Sequence, residues 1–481
     1  MENESLSLED AVTWTRGKLV NNTKAKLVSS FDFIGTDSRS DLTKKLFVPL
    51  RGDVFDAHDF IHSAIEKGCT GVLFDNKSKT PLKLDLDGPI ALIEVEDTLL
   101  ALQEMAQGYR KKLKKIIIGI TGSAGKTTAK EFTSQILNTK SKTYASQGSL
   151  NNHWGVPFSL LNMRSTDCFG VIEMGMDRYG EIQRLVEIAD PDIVVVTMVG
   201  HAHFEHFGSQ ENIAKAKNEI YLYSKKPAMR VFNLDNPFTK KMRDNFLNAN
   251  GAGPVFLFST LDRRASVFMQ LKNVSAQGLE LEGTIGTQPG QALVPVFGRH
   301  NITNVLVAAT LALATGMAPA QIWISLSKLK TNWGRNQLLK ADCGAQVIFD
   351  GYNANPDSMD SLIKNVHDLQ VSGKRILILG EMLGLGDSKD KFHSELAEKI
   401  SKSKFDQVVF YGPSWQTFKD VFAKASTKTQ LFVSEKMDPV LINQLKSDYK
   451  PGDLIAIKGS RGMKTEKAVS ILVQAFSHEK I

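Results

Sequence analysis

The chain is poor in cysteine and contains no long apolar stretch. Its three cysteines, Cys69, Cys168 and Cys343, lie far apart and form no CxxC spacing. This number and spacing imply neither a disulfide framework nor a zinc site, and they favour reduced, buried thiols. No run of about 18 apolar residues occurs, and residues 1–10 are acidic and polar, so neither a membrane span nor a secretory signal is expected. The sequence therefore predicts a cytoplasmic protein.

A large excess of one charge is also missing. The formal net charge of +7 comes from 59 basic and 52 acidic residues, and the basic residues cluster only at 110–115. Such a run is more often a solvated helix end than a nucleic-acid surface, so no nucleic acid partner is expected. A small anionic substrate is equally compatible with this positive net charge. Internal repeats and low-complexity tracts are absent, and the length predicts about two to four domains.

The most informative segment is ITGSAGKTT at residues 120–128. Residues 116–120 form an apolar, β-branched run typical of a buried parallel strand, and the residues after Thr128 favour a helix. The glycines therefore occupy a strand-to-helix turn. The usual P-loop pattern, G-x-x-x-x-G-K-[ST], requires glycine where this chain has Ile120, so the loop is a shorter variant.

Such a turn is suited to phosphate binding. Gly122 and Gly125 allow the backbone to approach an anion closely, and the helix N-terminus attracts it. Lys126 supplies a positive charge, and the Thr127 hydroxyl can reach a magnesium ion. We therefore predict an ATP site made by Gly122, Ser123, Ala124, Gly125, Lys126, Thr127 and Thr128.

The order of strands and helices predicts an α/β protein with three domains. The first 96 residues contain strand-like segments at 45–50 and 70–74, with helical spacing at 60–67 between them. A helix over about 97–112 then leads into the phosphate loop. We expect a small N-terminal α/β domain over residues 1–96.

Residues 97–330 alternate strands and helices, which predicts a P-loop-type, doubly wound and mostly parallel central sheet. One strand ends at Glu173, and another, at 192–197, ends just before the segment that contains His203. Because ligands gather beyond the carboxyl ends of strands in such sheets, both side chains are expected near the phosphate loop. Residues 228–297 are interpreted as a β extension peripheral to this sheet.

A third α/β pattern occupies residues 331–481. Its strand-like segments are 346–350, 375–380, 407–411 and 453–458, and helical patterns separate them. The sequence therefore predicts a C-terminal Rossmann-like domain.

Seven motifs in succession resemble the Mur ligases. They are TGSAGKTT at 121–128, NNHWGVP at 151–157, IEMG at 172–175, GHAHFEHFGS at 200–209, AKAKNEIY at 214–221, GRHNITN at 298–304 and FDGYNANPDSM at 349–359. The match spans nearly the whole chain, and YNANPDSM is the motif specific to the members that add a dipeptide.

The resemblance implies an N-terminal domain that holds a UDP-sugar, a central ATPase, and a C-terminal domain that closes over ATP and the incoming amine. It also implies the reaction. The carboxylate of UDP-N-acetylmuramoyl-tripeptide attacks the γ-phosphate of ATP, and the amine of D-alanyl-D-alanine then attacks the acyl phosphate, giving a pentapeptide for peptidoglycan synthesis. A monomer is expected.

The resemblance also implies how two anionic reactants are brought together. Lys126 and magnesium offset their repulsion, and Thr127 and Glu173 offer the oxygen ligands that this cation prefers. His203 matches a contact to a second magnesium, although a buried structural imidazole is the alternative. Lys217 matches the lysine that the family carbamylates, which requires a lowered pKa; from the sequence alone, a surface lysine is the alternative.

The remaining site residues also come from the resemblance. For the nucleotide, Asn301 matches the adenine contact, Asp350 the ribose contact and Arg335 the phosphate contact, with an interdomain salt bridge as the alternative for Arg335. The implied substrate contacts are Ser38 and Arg39 for UDP, Asn151 and Asn152 for the muramoyl-peptide, and Tyr352, Asn353, Asn355, Asp357, Lys458 and Arg461 for D-alanyl-D-alanine and the reacting carboxylate. A helix N-cap is the alternative for the Asn-Pro-Asp run.

Two rival functions stay open. Another ligase with this loop, either the Mur ligase that adds the third amino acid or a folylpolyglutamate synthetase, would add a single amino acid. The former usually carries Asp-Asn-Pro-Arg in its last domain, whereas residues 235–238 of this chain read Asp-Asn-Pro-Phe and lie in the central domain. A P-loop switch or nucleic-acid ATPase would need a clustered basic face, which the sequence lacks. The dipeptide-adding ligase is therefore the prediction.

Overall fold

A computed structural model describes ten stretches of the chain, residues 6–20, 27–52, 55–75, 89–200, 202, 204–225, 227–275, 277–331, 333–474 and 476. The chain divides into two compact units, Met1–Val267 with Leu306–Ala318, and Phe268–Val305 with Pro319–Ile481. Both units combine helices with sheets, so the predicted α/β class is confirmed. The division into domains 1–96, 97–330 and 331–481 stays a prediction. Within the described stretches, no helix is both long enough and apolar enough to cross a bilayer.

The first unit begins with a small sheet. Its elements are β1 (Leu6–Ser7), α1 (Leu8–Thr15), β2 (Lys18–Leu19), β3 (Ser30–Phe31), β4 (Phe33–Gly35), β5 (Lys45–Phe47), α2 (Ile61–Glu66), β6 (Gly71–Asp75), β7 (Ala91–Val95) and α3 (Thr98–Lys112). Five of the strands form a sheet in the order β2, β7, β6, β5, β4, in which only β2 is antiparallel to its neighbour, and β1 and β3 form a separate antiparallel pair. The predicted strands and helices of this region are confirmed, although the strand predicted over 45–50 ends at Phe47.

The central elements of the first unit follow in alternation. They are β8 (Ile116–Thr121), α4 (Lys126–Asn138), β9 (Thr143–Ala145), α5 (Gly155–Leu161), β10 (Phe169–Glu173), α6 (Glu181–Ala189), β11 (Ile193–Val196), α7 (Phe204–Phe207), α8 (Gln210–Leu222), β12 (Met229–Asn233), α9 (Pro237–Asn248) and β13 (Val255–Ser259). The strands pair in parallel in the order β9, β10, β8, β11, β12, β13. Strands β9 and β10 lie on one side of β8 and β11, β12 and β13 on the other, so the carboxyl end of β8 is the topological switch point, where ligands bind in such sheets.

The apolar runs of the sequence form the inner strands of this sheet. Ile117 and Ile118 of β8 and Val194 and Val195 of β11 are fully buried. Since consecutive residues of a strand point to opposite faces, both faces of the sheet are covered at these positions. This explains why the strands appear in the sequence as continuous rather than alternating apolar segments.

The interpretation of residues 228–297 as a peripheral β extension is wrong for their first part. Strands β12 and β13 belong to the parallel sheet, and α9 connects them. Arg230, in the middle of β12, interrupts the apolar pattern, yet it is buried and donates hydrogen bonds to several backbone carbonyls, including that of Ala228 at 2.7 Å. A buried, fully bonded guanidinium is compatible with an inner strand, which the charge alone does not reveal.

The second unit contains a hairpin and a second parallel sheet. Two of its elements are divided between the units: β14 (Val267–Ser275), whose first residue belongs to the first unit, and α10 (Asn301–Ala314), which belongs to the first unit from Leu306 onward. The others are β15 (Gly278–Ile285), β16 (Gln288–Val294), α11 (Pro319–Leu326), β17 (Gln337–Lys340), β18 (Gln346–Asp350), α12 (Pro356–Asp368), β19 (Arg375–Gly380), α13 (Lys389–Ser401), β20 (Gln407–Tyr411), α14 (Trp415–Lys424), β21 (Gln430–Ser434), α15 (Pro439–Lys446), β22 (Leu454–Lys458) and α16 (Glu466–Leu472). Strands β15 and β16 pair antiparallel.

The C-terminal sheet has the strand order β17, β18, β22, β19, β20, β21, and only β17 is antiparallel. All four predicted strands are confirmed. The two edge strands, β17 and β21, were not predicted, because they are partly exposed and their apolar runs are only two and three residues long. Edge strands bury less surface and so carry a weaker sequence pattern.

Two expectations from composition need correction. The basic run does end a helix, but Arg110 is buried: its guanidinium bonds the Asp192 carboxylate at 2.8 Å and the Ala189 carbonyl at 2.8 Å. All three cysteines are free, as predicted, but only Cys69 is buried and Cys168 is exposed.

Candidate active site

The loop after β8 has the geometry of a phosphate site. Gly122 and Gly125 have φ angles of 151° and 79°, and a Cβ on Gly122 would lie 1.9 Å from Oγ1 of Thr197. Helix α4 begins at Lys126, earlier than predicted, because Gly125 serves as its N-cap in the left-handed conformation. No side chain in the described part of the chain caps this helix end. Its first amides therefore face an anion-binding position.

Hydrogen bonds to neighbouring segments fix the loop. Three of them involve residues that the sequence assigned to the ATP site: the Ser123 amide donates to the Met198 carbonyl at 2.9 Å, the Thr197 hydroxyl donates to the Ala124 carbonyl at 2.6 Å, and the Lys126 ammonium donates to the Gly122 carbonyl at 2.9 Å. Thr128 is half-buried on the first turn of α4. Contacts with the residues that follow β11 thus fix the conformation of the loop, and the Lys126 side chain lies across it.

Glu173, the last residue of β10, is buried beside this loop. Its Oε2 accepts a hydrogen bond from the Thr127 hydroxyl at 2.9 Å, and its Oε1 accepts one from the Asn151 amide group at 2.8 Å. Its backbone amide donates to Oγ of Ser146 at 3.1 Å. The sequence placed Glu173 near the loop from the parallel strand order alone, and the structure brings Glu173 and Thr127 into direct contact.

The oxygen atoms at this position fit a magnesium ion. Mg²⁺ is usually held by one or two carboxylates together with phosphate oxygens and waters, and Thr127 and Glu173 supply a hydroxyl and a carboxylate next to a phosphate-binding loop. Among the described residues, no group of three His, Cys, Asp or Glu side chains forms a cage for a metal. A metal here would therefore depend on the oxygen atoms of a bound phosphate. His203, the predicted contact to a second ion, lies outside the described residues.

Lys217 is buried on α8, whereas Lys215, two residues earlier, is exposed. Burial of the Lys217 ammonium and, second, the nearby charge of Lys126 lower the pKa of Lys217 to about 7, although the Asp177 carboxylate acts in the opposite direction. The alternative of a surface lysine is therefore wrong. A buried lysine that is half neutral near physiological pH is suited to act as a nucleophile towards CO₂.

The other predicted substrate residues of the first unit lie in loops. Asn151 is half-buried through its contact with Glu173. The exposed Asn152 accepts a hydrogen bond from the Gly155 amide at 2.9 Å, at the start of α5. Ser38 is buried, and Arg39 is exposed and paired with the Asp37 carboxylate at 2.8 Å. Ser38 and Arg39 thus occupy a turn of the chain.

In the second unit, Asp350 and Lys458 form a buried ion pair at the ends of the neighbouring strands β18 and β22. The Lys458 ammonium also donates to the Asn353 carbonyl at 2.9 Å, and Asp350 accepts from the Asn336 amide at 3.2 Å. Three predicted site residues therefore meet at the carboxyl edge of the C-terminal sheet. Lys458 is already bonded there, so it holds the loop after Asp350 in place.

Arginine and aromatic side chains flank this edge. The Arg335 guanidinium lies over the Tyr352 ring at 3.9 Å from the ring centroid. Arg461 lies over the Trp333 ring at 4.5 Å and pairs with Glu466 at 3.0 Å. Each guanidinium is thus held over an aromatic ring by a cation–π contact, and arginine is a side chain suited to binding anions.

Two asparagines of this unit have structural contacts. Asn301 is buried and donates to the Phe297 carbonyl at 2.6 Å, at the start of α10. Asn355 is the N-cap of α12 and forms a capping box with Ser358, so the N-cap alternative holds for the Asn-Pro-Asp run. Asp357 lies in the first turn of this helix.

Sequence reasoning missed several residues that shape the site. Thr197 packs against the phosphate loop, Ser146 bonds the backbone of Glu173, and Lys130 is fully buried one turn after Lys126. Only Thr197 had a signal, because it follows a strand that ends at the same edge of the sheet. The others depend on contacts between segments that are distant in the sequence.

Replacing Lys458 by methionine is expected to destabilise the protein by about 3–5 kcal/mol, because it leaves the Asp350 carboxylate buried without its partner. Urea unfolding measured by circular dichroism would test this. The matched control is Lys467→Met, since Lys467 is exposed on α16. Equal unfolding midpoints for the two variants would show that the ion pair contributes nothing to stability.

Comparison with known proteins identifies the family. Residues 120–312 match the Mur ligase middle domain and residues 334–461 the Mur ligase, glutamate ligase domain. A UDP-N-acetylmuramoyl-tripeptide–D-alanyl-D-alanine ligase from Bacillus subtilis is 35% identical over 443 residues, which cover 92% of this chain and 93% of the relative.

Solved structures extend the likeness to the whole fold. MurF from Acinetobacter baumannii has a TM-score of 0.83 at 26% identity and covers 98% of this chain and 99% of its own. A MurF ligase from Thermotoga maritima, solved in complex with ADP, has a TM-score of 0.72 at 25% identity and covers 91% of this chain and 96% of its own. The protein therefore belongs to the Mur ligase family.

Proposed function

We propose that the protein is an ATP-dependent ligase that joins D-alanyl-D-alanine to UDP-N-acetylmuramoyl-tripeptide in peptidoglycan synthesis. The observation that carries the proposal is the cluster of Lys126, Thr127 and Glu173 at the switch point of the central sheet. The names of the Bacillus subtilis relative and of its counterpart from Escherichia coli, which is 32% identical over 445 residues, specify these two substrates.

Amide synthesis needs an activated acyl group, because a carboxylate is a poor electrophile. In the proposed reaction the terminal carboxylate of the tripeptide attacks the γ-phosphorus of ATP, ADP leaves, and an acyl phosphate forms. The amine of the dipeptide then attacks the acyl carbon, phosphate leaves and the amine loses a proton. The Lys126 ammonium and the amides at the start of α4 bind the phosphates and stabilise the negative charge that develops on them.

Thr127 and Glu173 are proposed to hold magnesium, and His203 a second ion. Magnesium, when bound, offsets the repulsion between the substrate carboxylate and the phosphates. The Asn151 amide group and the Thr127 hydroxyl orient the Glu173 carboxylate, so that its remaining lone pairs are directed before the substrates arrive.

Lys217 is proposed to carry a carbamate. Its neutral amine adds to CO₂ and releases one proton, which gives an anionic oxygen ligand in place of a cation. The pKa of about 7 supports this role, since an ordinary lysine with a pKa near 10.5 is almost entirely protonated at neutral pH.

The initial rate at which Lys217 forms a carbamate, at a fixed concentration of dissolved CO₂, is expected to rise between pH 6 and 8 and to level off above that. With a pKa of about 7, the neutral fraction of the amine increases through this range. The carbamate carbon can be followed by NMR with ¹³C-labelled CO₂ held at a fixed dissolved concentration. Lys217→Met is the control for the signal. An initial rate that keeps rising to pH 10 would indicate an unperturbed lysine and contradict the pKa.

The other site residues are proposed as substrate contacts. In the nucleotide site, Asn301 binds adenine, Asp350 the ribose and Arg335 the phosphates. Ser38 and Arg39 are proposed to bind UDP, Asn151 and Asn152 the muramoyl-peptide, and Tyr352, Asn353, Asn355, Asp357, Lys458 and Arg461 the dipeptide and the reacting carboxylate.

The test of the proposed function is a choice between acceptors. Phosphate release is measured with ATP, magnesium and UDP-N-acetylmuramoyl-tripeptide, and with D-alanyl-D-alanine or a single diamino acid as the amine. Folate with glutamate serves as a third pair. Release that depends on the dipeptide is expected. Release with a single amino acid instead would assign the chain to another ligase of the family.

A cytoplasmic monomer is proposed, and light scattering of the purified chain would report its mass.

A further inference from the structure

Lys130 is a fully buried lysine one helical turn after Lys126 on α4. Its ammonium donates to the carbonyls of Ser146 and Gly148, the latter at 2.8 Å, and pairs with the Glu131 carboxylate at 3.2 Å. An ammonium has three N–H donors, and these three groups match them in number. Lys130 is therefore engaged with the segment that follows β9.

Burial of this ammonium needs an explanation other than packing. Removing a charge from water is costly unless its hydrogen bonds are replaced, and an apolar side chain of similar size fills a helix–sheet interface without that cost. What the ammonium adds is a set of directional hydrogen bonds, which an apolar side chain cannot make. The ammonium binds the carbonyls of Ser146 and Gly148, which belong to the irregular segment that follows β9. The charge thus fixes the path of the backbone after β9.

The same segment contacts Glu173 at two points. The Ser146 hydroxyl accepts from the Glu173 amide at 3.1 Å, and the Ser146 amide donates to the Val171 carbonyl at 3.0 Å. Five residues later, the Asn151 side-chain amide donates to Glu173 Oε1 at 2.8 Å, and the Asn151 backbone carbonyl accepts from the Gly175 amide at 2.7 Å. Segment 146–151 therefore determines both the backbone position of Glu173 and the orientation of its carboxylate.

We propose that Lys130 is a positioning residue for the metal and phosphate site. It holds segment 146–151 against α4, so that Asn151 presents the Glu173 carboxylate beside Thr127. Lys130 acts through Ser146 and Asn151 rather than on the reactants. This inference rests on the proposed function, because it takes Glu173 as an oxygen ligand of the ion that accompanies ATP.

A positioning role and a purely stabilising role predict different measurements. A residue that only stabilises the fold lowers the melting temperature but leaves the affinity of the folded protein for the ion unchanged. A residue that orients a ligand weakens ion binding in protein that is still folded. Loss of such supporting contacts typically costs about 10–100-fold in metal affinity or activity.

The experiment compares Lys130→Met with Lys140→Met, because Lys140 is exposed after the end of the same helix. Mn²⁺ is titrated by electron paramagnetic resonance into each protein with saturating ADP, and the Mg²⁺ concentration for half-maximal phosphate release is measured in parallel. Lys130→Met is expected to bind Mn²⁺ about 10–100-fold more weakly and to need more Mg²⁺ by a similar factor. Its KM for D-alanyl-D-alanine is expected to stay near that of the unaltered protein, as is every value for Lys140→Met.

A folded Lys130→Met variant with unaltered Mn²⁺ affinity would overturn the inference. Should that variant fail to fold, the Ser146→Ala variant distinguishes the positioning role from the purely stabilising one, since it removes only the hydroxyl that accepts from the Glu173 amide. Weaker Mn²⁺ binding by Ser146→Ala supports the inference, and unaltered binding overturns it. Failure of the proposed function is separate: the unaltered protein would then bind Mn²⁺ and ADP but form no amide product.

Discussion

Replacement of Lys126 by alanine is expected to lower the rate of ATP-dependent amide formation by about 10³-fold or more. The Lys126 ammonium lies over the glycine loop and bonds the Gly122 carbonyl at 2.9 Å, so it is positioned to turn to a phosphate. In phosphoryl transfer most of the catalysis comes from positioning and from stabilisation of charge, and removal of the only lysine within the loop removes both.

The measurement is phosphate release at saturating substrates, together with the shift in melting temperature that ATP and magnesium produce. Lys140→Ala is the matched control, because this exposed lysine follows the same helix. The Lys126 variant is expected to fold and to lose the thermal shift. Turnover close to that of the control would refute the assignment of the loop as the ATP site.

Replacement of Lys217 by alanine is expected to lower activity by about 10²–10³-fold. If the lysine carries a carbamate, its loss removes an anionic oxygen ligand and leaves a cavity on α8 beside the phosphate loop. A short carboxylic acid, such as acetate, has a carboxylate of the same shape and fits such a cavity. Added acetate is therefore expected to restore part of the activity of Lys217→Ala.

Two controls make the rescue specific. Lys215→Ala removes the exposed lysine two residues earlier and is expected to retain full activity, with or without acetate. Acetate is also expected to leave Lys126→Ala inactive, because that variant lacks a cation rather than an anion. A Lys217→Ala variant that keeps its turnover and its magnesium requirement would rule out the carbamate.

The central part of the fold could be predicted from the sequence because its pattern is local. The apolar run 116–120, two glycines and a following helix fit one strand–turn–helix unit, and β8 and α4 form it. The parallel order then placed Glu173 at the same edge, because Glu173 is the last residue of β10, a strand of the same sheet. Local pattern and strand direction together were sufficient for this half of the site.

The rest depended on tertiary packing. Residue type did not distinguish Lys217 from Lys215, since burial of one and not the other is set by which face of α8 packs on the sheet. Strand β12 was not predicted as an inner strand because it contains Arg230, whose charge is satisfied by backbone carbonyls that the sequence does not reveal. Lys130 gave no signal at all, since its partners at residues 146 and 148 are brought to it only by the fold.

The most direct test of the account is mass spectrometry of the product. Purified protein is incubated with ATP, magnesium, D-alanyl-D-alanine and a defined UDP-N-acetylmuramoyl-tripeptide. The account predicts a UDP-N-acetylmuramoyl-pentapeptide that accumulates together with ADP and phosphate and is absent when ATP is omitted. Unchanged tripeptide with every component present, under conditions in which the protein binds ATP, would contradict it.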